Sequence, residues 1–341
     1  MVGKEIGLKG IRYILMIMQS ATTLDLPWLR HTFGKRLQEN VPLARLTSAR
    51  VGGKADLFIT AESADDLANI VDHLWNSNTP FLIMGGGSNM LVGDAGVRAV
   101  VVFNRARKVR FDVAGVPASV WAESGANFGL IARQAAKRGL SGLEWAAGIP
   151  GTVGGAVVGN AGAHKGELSG NLLVAEILHQ EKSDALRATQ SGEREAGHRR
   201  EYWSVERFGY RYRTSILKQI PGRHVVLSAS LRLEHSSPEK VKAKIEEFVS
   251  YRRQTQPPGA SMGSMFKNPA GDYAGRLIEA AGLKGKKIGR AEISPLHANF
   301  FINHGGATAE DIWKLIQLTR DAVEKKFGIV LELEIEPVGE W

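Results

Sequence analysis

The stretch Gly148-Ile-Pro-Gly-Thr-Val-Gly-Gly-Ala-Val-Val-Gly-Asn-Ala-Gly-Ala163 is the part of this chain that says most about its fold. It is rich in glycine, it has no charged residue, and its polar side chains are those of Thr152 and Asn160. Because glycine has no Cβ and tolerates positive φ, a ligand can press against such a backbone and bind its amides. This pattern suits a large flat ligand with carbonyl and ring-nitrogen acceptors, such as a flavin. The alternative is a glycine-rich packing turn between strands.

Length and charge narrow the classes of protein that this chain can represent. It has 341 residues, enough to bury a sizeable core in two or three domains, and a net charge of +9. A basic chain can bind nucleic acid or small polyanions such as nucleotides. The segment His198–Lys218 alternates arginine with aromatic residues, as in proteins that stack single-stranded bases, but no nucleic-acid-binding motif accompanies it. Small anionic ligands are therefore favoured, and no nucleic-acid partner is predicted.

The chain contains no cysteine, which excludes disulfides, thiolate nucleophiles and cysteine-ligated metals. No metal site is predicted, and a cytoplasmic location is expected. Near the start, the apolar stretch Tyr13–Met18 is too short for a signal-peptide core or a membrane span. Residues 1–38 are predicted to be an N-terminal extension with helical character.

Residues 39–106 have the pattern of a first α+β lobe. Ser63 and Asp66 form a variant capping box before a helix, and Phe81–Met84 is a short apolar strand. This strand leads into Gly85-Gly-Gly-Ser-Asn89, a loop whose amides could bind a diphosphate. The loop has neither the Gly-Lys-Ser/Thr ending of a Walker loop nor the dinucleotide-binding glycine spacing. A tight turn between strands is the alternative.

Residues 107–236 predict a second lobe. Ser119–Glu123 has the pattern of a strand and Asn127–Arg138 that of an amphipathic helix. Residues 180–207 are polar and charged, which predicts a long surface excursion.

Residues 237–341 predict a third unit. Serine before proline, at Ser237-Pro238, is a typical helix start. Thr308 and Asp311 predict the start of a further helix, and Gly328 predicts its end.

The order of residues in Gly148–Ala163 resembles a signature of the UDP-N-acetylenolpyruvoylglucosamine reductase family. Members of this family carry Gly-Ile-Pro-Gly-Thr-Val-Gly-Gly-Ala, followed shortly by Asn-Ala-Gly-Ala. Further segments resemble the family in the same order along residues 40–339, and they are Val51-Gly-Gly53 with Ala55, Gly85-Gly-Gly-Ser-Asn89, Tyr212-Arg-Thr-Ser215, Gly263-Ser-Met-Phe-Lys-Asn-Pro269, His297-Ala-Asn-Phe300 and the Leu331–Gly339 tail.

The resemblance implies an α+β fold. It consists of a two-lobed FAD-binding domain of the vanillyl-alcohol-oxidase (PCMH-like) type, followed by a smaller α/β substrate-binding domain. The expected boundaries are 39–106 and 107–236 for the two lobes and 237–341 for the substrate-binding domain.

The resemblance also implies an activity, the NADPH-dependent, FAD-mediated reduction of UDP-N-acetylglucosamine enolpyruvate to UDP-N-acetylmuramate in peptidoglycan precursor synthesis. Lys54 stands where some related flavoproteins have a histidine that attaches flavin covalently, so non-covalent FAD is expected. Beyond these small molecules, the resemblance implies no membrane span and no obligate protein partner. Two alternatives remain open, namely another FAD oxidoreductase such as an oxidase of small alcohols, and a colourless nucleotide- or RNA-binding protein.

Two of the implied catalytic residues are Ser264 and Arg213. A serine hydroxyl can be a nucleophile or a proton donor, and the Gly-x-Ser-x-Gly pattern of a nucleophile is missing here. The resemblance implies that Ser264 protonates a carbanion-like intermediate, which a neutral hydroxyl does only with help from its surroundings. The planar fork of an arginine suits a carboxylate, and the family motif aligns with Arg213 and not with Arg211. A turn serine and a surface arginine are the alternatives.

The third implied catalytic residue is Glu334. Ile329–Ile335 has the pattern of a closing strand, on which Glu332, Glu334 and Glu336 would project from one face. Periodicity alone favours a solvated edge strand. The resemblance selects Glu334 and implies that it interacts with the developing enolate.

The resemblance also implies residues that bind cofactor and substrate. The expected cofactor contacts are Gly52, Gly53, Gly85, Gly86, Gly87, Ser88, Asn89, Gly148, Thr152, Gly154, Gly155, Asn160 and Gly162. For the substrate, Lys267, Lys284 and Arg252 are candidates to bind the diphosphate, and Asn268 to bind the sugar or pyruvyl end. Surface charge is the alternative for each of the three basic residues.

The chain departs from the family pattern at a few positions. Glu336 stands where members often have a basic residue, and Arg290 where they often have glycine. The short stretch between Arg213 and Ser264 resembles the second type of the family, which lacks a tyrosine-bearing loop that folds over the substrate.

Overall fold

The computed structural model describes residues 24–180 and 198–341. The features predicted within residues 1–23, including Tyr13–Met18, and the part of the predicted excursion at 181–197 lie outside the described residues. In the portion that is described, no helix is long and apolar enough to cross a membrane.

Helices and strands are interspersed along the described residues. The helices are α1 (Leu26–Phe33), α2 (Ala64–Asn76), α3 (Phe128–Lys137), α4 (Val153–Gly159), α5 (Leu168–Asn171), α6 (Ile216–Gln219), α7 (Pro238–Thr255), α8 (Ala274–Ala280) and α9 (Ala309–Phe327). The strands are β1 (Gln38–Pro42), β2 (Lys54–Ala61), β3 (Phe81–Met84), β4 (Met90–Val92), β5 (Val97–Asn104), β6 (Val109–Asp112), β7 (Ser119–Glu123), β8 (Leu140–Ser141), β9 (Gly162–Ala163), β10 (Gly166–Glu167), β11 (Leu172–Gln180), β12 (His198–Ser204), β13 (His224–Arg232), β14 (Glu234–His235), β15 (Lys287–Ile288), β16 (Ala291–Ile293), β17 (Phe301–Asn303) and β18 (Glu336–Val338).

The chain forms two compact units, and each is built from separated stretches of sequence. The first contains the residues up to Ile59, Gly86–Val101 and Lys244–Trp341, and the second contains Thr60–Gly85 and Val102–Ala243. The predicted division at 39–106, 107–236 and 237–341 stays a prediction.

In the first unit, β1 pairs antiparallel with β2, β16 lies between β15 and β17, and β18 pairs in parallel with β4. One core joins buried side chains of α9, such as Ile312 and Leu315, with Phe266, Phe301 and Leu331. The rings of Phe266 and Phe301 meet edge to face, with centroids 6.2 Å apart. This core therefore supports the backbone on both sides of the predicted Ser264 and Glu334 positions.

The helix predicted from Thr308 is confirmed as α9. The Thr308 hydroxyl accepts the Asp311 N–H at 3.0 Å, and the Asp311 carboxylate accepts the Thr308 N–H at 3.2 Å. This reciprocal capping satisfies amides that a helix start leaves without partners. Gly328 ends the helix in the left-handed conformation, as predicted.

The second unit contains an antiparallel sheet in the order β12-β11-β13-β7-β6. Ser119–Glu123 forms a strand as predicted, and the predicted helix after it is α3, with Asn127 as its N-cap. The start of α2 is also confirmed, because the Ser63 hydroxyl accepts the Asp66 N–H at 3.1 Å. The Asp66 carboxylate in turn accepts the Glu62 N–H at 3.0 Å.

The prediction of a surface excursion over 180–207 is wrong for its last part, since His198–Ser204 is strand β12 and pairs with β11. Its polar composition conceals an alternating pattern, in which Trp203 is 4% exposed and Tyr202 is 71% exposed. Alternation of this kind is the mark of a strand with one buried face. A short 3₁₀ helix, Val205–Phe208, follows it.

The prediction of a strand at Ile329–Ile335 is also wrong. The regular strand is β18, which begins at Glu336, where β4 provides a parallel partner. Before it, Leu333 forms only a single bridge, to Phe266. The alternation of apolar and acidic residues reflects the burial of Leu331 and Ile335, not a continuous ladder.

Candidate active site

The segment that carries Ser264 pairs with the segment that carries Glu334. Phe266 forms an antiparallel bridge with Leu333, and the Glu334 N–H donates to the Met265 carbonyl at 2.9 Å. Because residue numbers run in opposite directions across an antiparallel pair, Glu334 lies opposite Met265, one position from Ser264. The first unit therefore brings the backbones of two predicted catalytic residues together.

Asn299 holds the other side of the Ser264 segment. Its carbonyl accepts the Met265 N–H at 2.8 Å, and its carboxamide makes two bonds to the Phe266 backbone. Oδ1 accepts the Phe266 N–H at 3.0 Å, and Nδ2 donates to the Phe266 carbonyl at 2.8 Å. Asn299 is 3% exposed, and Ser264 itself forms a bridge with Phe300. The serine thus sits on a backbone that is bound along both edges.

Asn89, at the end of the predicted diphosphate loop, binds the backbone around Glu334. Its Nδ2 donates to the Glu334 carbonyl at 3.1 Å, and its own carbonyl accepts the Glu336 N–H at 2.8 Å. Asn89 was predicted as a cofactor contact, and the structure also gives it this contact within the chain. The loop therefore reaches the place where Glu334 stands.

The three tail glutamates do not project from one strand face, because Glu332 and Glu334 precede β18. Glu332 is exposed and its carboxylate lies 3.5 Å from Lys267 Nζ, whereas Glu334 and Glu336 are half-buried. This corrects the shared face that periodicity predicted.

Arg213, in the second unit, occupies a strained turn. Arg211 and Thr214 exchange two backbone hydrogen bonds of 3.2 Å, and Arg213 between them has φ +56°. A residue with a Cβ adopts this region at a cost of about 1–3 kcal/mol, and such positions are concentrated at functional sites. Nη2 of Arg213 donates to the Gly162 carbonyl at 2.6 Å, and the guanidinium lies 5.1 Å from the Tyr212 ring centroid. These contacts fix the direction of the fork.

The structure brings Gly85 and Thr152 together in the second unit. A Cβ on Gly85 would lie 2.6 Å from the Thr152 hydroxyl oxygen, so this approach requires glycine. Thr152 is the N-cap of α4, and its hydroxyl accepts the Gly155 N–H at 3.4 Å. The first glycine of the loop thus packs on the start of the helix in the glycine run.

Several predicted cofactor contacts have partners within the chain. The Gly154 N–H donates to the Ser124 carbonyl at 2.7 Å, and the Gly53 N–H donates to the Gly93 carbonyl at 2.9 Å. Those two amides are therefore used by the fold. Gly148 lies in the turn that follows the short helix Glu144–Ala146.

Asn160 ends α4 in the left-handed conformation with φ +46° and is 1% exposed. Its Oδ1 accepts the Ser169 N–H at 3.0 Å, and its Nδ2 lies 3.2 Å from both a Glu167 carboxylate oxygen and the Arg211 carbonyl. The carboxamide thereby ties the glycine run to the turn that holds Arg213.

The remaining predicted contacts suit FAD by their chemistry. In the loop before β4, Gly87 has φ +58° and its carbonyl accepts the Ser48 N–H at 3.0 Å. A left-handed residue in a turn is a component of the concave amide groups that bind anions. With Gly52, Gly86 and Ser88, the set contains backbone amides, one hydroxyl and no carboxylate, which fits a diphosphate and a heterocycle rich in acceptors.

The predicted diphosphate ligands Lys267 and Lys284 form ion pairs in the first unit. Lys267 Nζ lies 3.5 Å from Glu332, and Lys284 Nζ lies 2.7 Å from Glu279. Both pairs are partly exposed, where an ion pair contributes little stability and its cation can exchange partners readily.

Asn268 is exposed, and Arg252 is half-buried. The Asn268 side-chain oxygen accepts the Ala274 N–H at 3.1 Å at the start of α8, so this residue serves as a cap. Arg252 lies in the last turn of α7, where burial lowers the pKa of its guanidinium.

Sequence reasoning missed the contribution of His297 and Asn299. Both belong to a segment that resembles the family, yet their residue types gave no signal of their contacts. His297 Nδ1 accepts the Asn299 N–H at 3.3 Å. Burial is the main cause that lowers the pKa of His297, which favours the neutral ring that this acceptor role needs.

Two parts of the chain match known families. Residues 55–178 match an FAD binding domain, and residues 254–338 match the C-terminal domain of UDP-N-acetylenolpyruvoylglucosamine reductase. These matches confirm the predicted α+β fold class, an FAD-binding domain followed by a C-terminal domain.

Similar proteins cover nearly the whole chain. UDP-N-acetylenolpyruvoylglucosamine reductase of Chloroflexus aggregans is 40% identical over 306 residues, which are 89% of this chain and 97% of the relative. The Bacillus subtilis protein of the same name is 38% identical over 302 residues, 88% of this chain and 93% of that relative. The crystal structure of the Thermus caldophilus reductase superposes with a TM-score of 0.71 at 32% identity, covering 89% of this chain and 99% of that one. The chain therefore belongs to the UDP-N-acetylenolpyruvoylglucosamine reductase family, FAD-dependent oxidoreductases of peptidoglycan precursor synthesis.

Proposed function

We propose that this chain reduces UDP-N-acetylglucosamine enolpyruvate to UDP-N-acetylmuramate, with non-covalent FAD as cofactor and NADPH as reductant. The pairing of the Ser264 and Glu334 segments is the observation that carries the proposal. It supplies a hydroxyl and a carboxylate from adjacent backbone positions, in a domain of the matching family. Both substrates are nucleotides of the cell interior, and we place the reaction in the cytoplasm.

FAD, when bound, would supply the redox chemistry, which is the net transfer of a hydride from NADPH to C3 of the enolpyruvyl group. Thr152, the loop Gly85–Asn89 and the glycine run would hold it through neutral donors. Addition of hydride at C3 leaves negative charge on C2 and the adjacent carboxylate. The protein must stabilise that charge and then deliver one proton to C2.

Ser264 is the proposed proton donor to C2. A hydroxyl is a weak acid, so its rate depends on a fixed position close to the carbon. The bonds on both edges of residues 264–266 provide this rigidity. Glu334 joins the site through the Met265 carbonyl and interacts with the enolate as it forms.

Arg213 is the proposed partner of the substrate carboxylate. A guanidinium can make two parallel bonds to a carboxylate, and such donors act best when they are oriented before charge develops. The bond to Gly162 and the strained turn provide that orientation. Lys267, Lys284, Arg252 and Asn268 are proposed to bind the diphosphate and sugar of the substrate.

An anaerobic absorption spectrum of the purified protein tests this function. NADPH is expected to bleach the flavin band, and the enol ether is expected to restore it. A protein that contains no flavin after incubation with FAD would contradict the cofactor assignment. A flavin that ignores NADPH and is reduced by small alcohols would indicate an oxidase instead.

A further inference from the structure

We propose that Asn299 is a positioning residue, which sets the place of the Ser264 hydroxyl through the backbone of Met265 and Phe266. The inference rests on the proposed function, in which Ser264 donates the proton to C2. Asn299 itself needs no contact with substrate or flavin.

The contacts around Phe266 carry the inference. The Phe266 side chain is fully buried, and its N–H and carbonyl both face the carboxamide of Asn299, at 3.0 and 2.8 Å. The neighbouring Met265 N–H bonds to the Asn299 carbonyl at 2.8 Å. One buried residue thus binds three of the four backbone polar groups of Met265 and Phe266, the two residues that follow Ser264.

The backbone near Asn299 explains why a side chain is needed there. Ser264 pairs with Phe300, but the chain before Phe300 turns, with the Phe300 N–H bonded to the His297 carbonyl at 2.9 Å. On the edge that faces Phe300, the pairing therefore does not continue to Phe266, whose bridge to Leu333 lies on the other edge. The carboxamide, with one donor and one acceptor side by side, takes the place of a strand partner there.

Loss of this carboxamide leaves two buried backbone groups without partners, and the segment must shift or admit water to satisfy them. A shift of about 1 Å at a reacting group can slow a reaction by about 100-fold. Proton donation to C2 depends on Ser264, whereas reduction of FAD by NADPH does not. The two half-reactions should therefore respond differently.

The test uses the full-length, FAD-loaded enzyme and follows both half-reactions by stopped-flow absorbance. In Asn299→Ala, reoxidation of the reduced enzyme by the enol ether is expected to slow about 100-fold. Reduction by NADPH should change less than about twofold. Asn299→Asp keeps the acceptor for the Phe266 N–H and loses the donor to the Phe266 carbonyl. Its reoxidation rate should therefore lie between those of wild type and Asn299→Ala.

Asn303 provides a matched control in the same unit. It is 7% exposed, its Nδ2 donates to the Ala49 carbonyl at 2.9 Å, and its Oδ1 accepts the Gly305 N–H at 2.8 Å. Asn303→Asp removes a buried donor in the same way but makes no bond to residues 264–266. It is expected to lower the melting temperature while leaving the reoxidation rate within about twofold of wild type.

A double variant separates positioning from general structural damage. If Asn299 acts through Ser264, adding Asn299→Ala to Ser264→Ala should slow reoxidation no further, since coupled residues are not additive. Independent damage would multiply the two effects, and that result would overturn the inference. Hydrogen exchange of residues 263–267 provides a readout without turnover, and faster exchange in Asn299→Asp is expected.

The outcomes distinguish the inference from the proposed function. If Ser264→Ala reoxidises at the wild-type rate, the proposed proton donor is wrong. If Ser264→Ala is slow but Asn299→Ala and Asn299→Asp reoxidise normally, only the positioning role is wrong. If Asn299→Ala does not fold, the reoxidation rate and the hydrogen exchange of Asn299→Asp are compared with those of Asn303→Asp. The same values in both variants would overturn the positioning role.

Discussion

The Ser264 segment and the glycine run Gly148–Ala163 hold their polar groups in opposite ways. In the glycine run, a short helix satisfies its own ends, with Thr152 at the start and Asn160 at the end. Around Ser264 there is no helix and no regular ladder, and a side chain from a distant part of the sequence, Asn299, binds the backbone. In the glycine run, residues close in sequence therefore satisfy the backbone groups. The arrangement around Ser264 fixes the backbone that carries this residue and depends on residues far away in sequence.

The largest effect is expected from Ser264→Ala. Removal of the proton donor should slow reoxidation of reduced enzyme by the enol ether about 1,000-fold, the middle of the range for a lost general acid. Reduction by NADPH should stay within about twofold, because it requires no proton at C2. Stopped-flow absorbance of the flavin band measures both steps, and normal turnover would remove Ser264 from the mechanism.

Arg213→Lys should slow the same step by about 100-fold, since an ammonium cannot make the two-pronged contact with a carboxylate. Arg211→Lys is the matched control, because Arg211 lies in the same turn and was the competing candidate. It is expected to reoxidise at close to the wild-type rate. Equal effects of the two variants in steady-state assays would argue against a specific role of Arg213.

Asn160→Ala tests the local stability of the glycine run. The variant leaves the Ser169 N–H without its acceptor and places alanine, which tolerates the left-handed region less well than asparagine, at φ +46°. Together these changes should cost about 2–4 kcal/mol of unfolding free energy. Urea unfolding of the FAD-loaded enzyme measures this, and Asn160→Gly, which tolerates the conformation, should lose less. Weakened FAD binding at unchanged stability would instead make Asn160 a cofactor contact.

The smallest expected effect is a pH dependence of the unfolding free energy that His297 causes. It concerns the region around Ser264 alone, because the glycine run contains no titratable residue. Burial lowers the pKa of His297 below its ordinary 6.5, so under acid the unfolded chain takes up a proton there more readily than the folded chain. Stability should therefore fall as pH drops below 6.5, and it should fall less in His297→Gln. Thermal melts between pH 7.5 and about 5 compare the two, and parallel curves would contradict the assignment.

Local signals predicted much of the fold from the sequence. Ser63 and Thr308 cap helices as expected, because a cap is decided by residues within one turn. Pairing between distant segments was not predictable in this way. Ile329–Ile335 alternates like a strand, but its partner around Phe266 allows only a single bridge.

The candidate site shows the same limit. Ser264, Arg213 and Glu334 were selected by resemblance. Their residue types alone were equally consistent with a turn serine, a surface arginine and a solvated edge strand. The contact of Asn299 with Phe266 joins positions 33 apart, and an asparagine gives no sign of it in sequence. Asn160 was predicted to bind a ligand, and its hydrogen-bond partners in the structure are the chain's own groups, which composition could not reveal.

The parallel pairing of β18 with β4 has a consequence for how the protein is made. The bond from Asn89 to Glu334 spans 245 positions, so a ribosome must synthesise all the residues between them before this contact can close. Closing so long a loop carries a large entropic cost and is typical of slow, late folding steps. During synthesis, Ser264 is therefore present in the nascent chain before Glu334 can pair with its segment, and assembly of the candidate site waits for the residues that lead into β18.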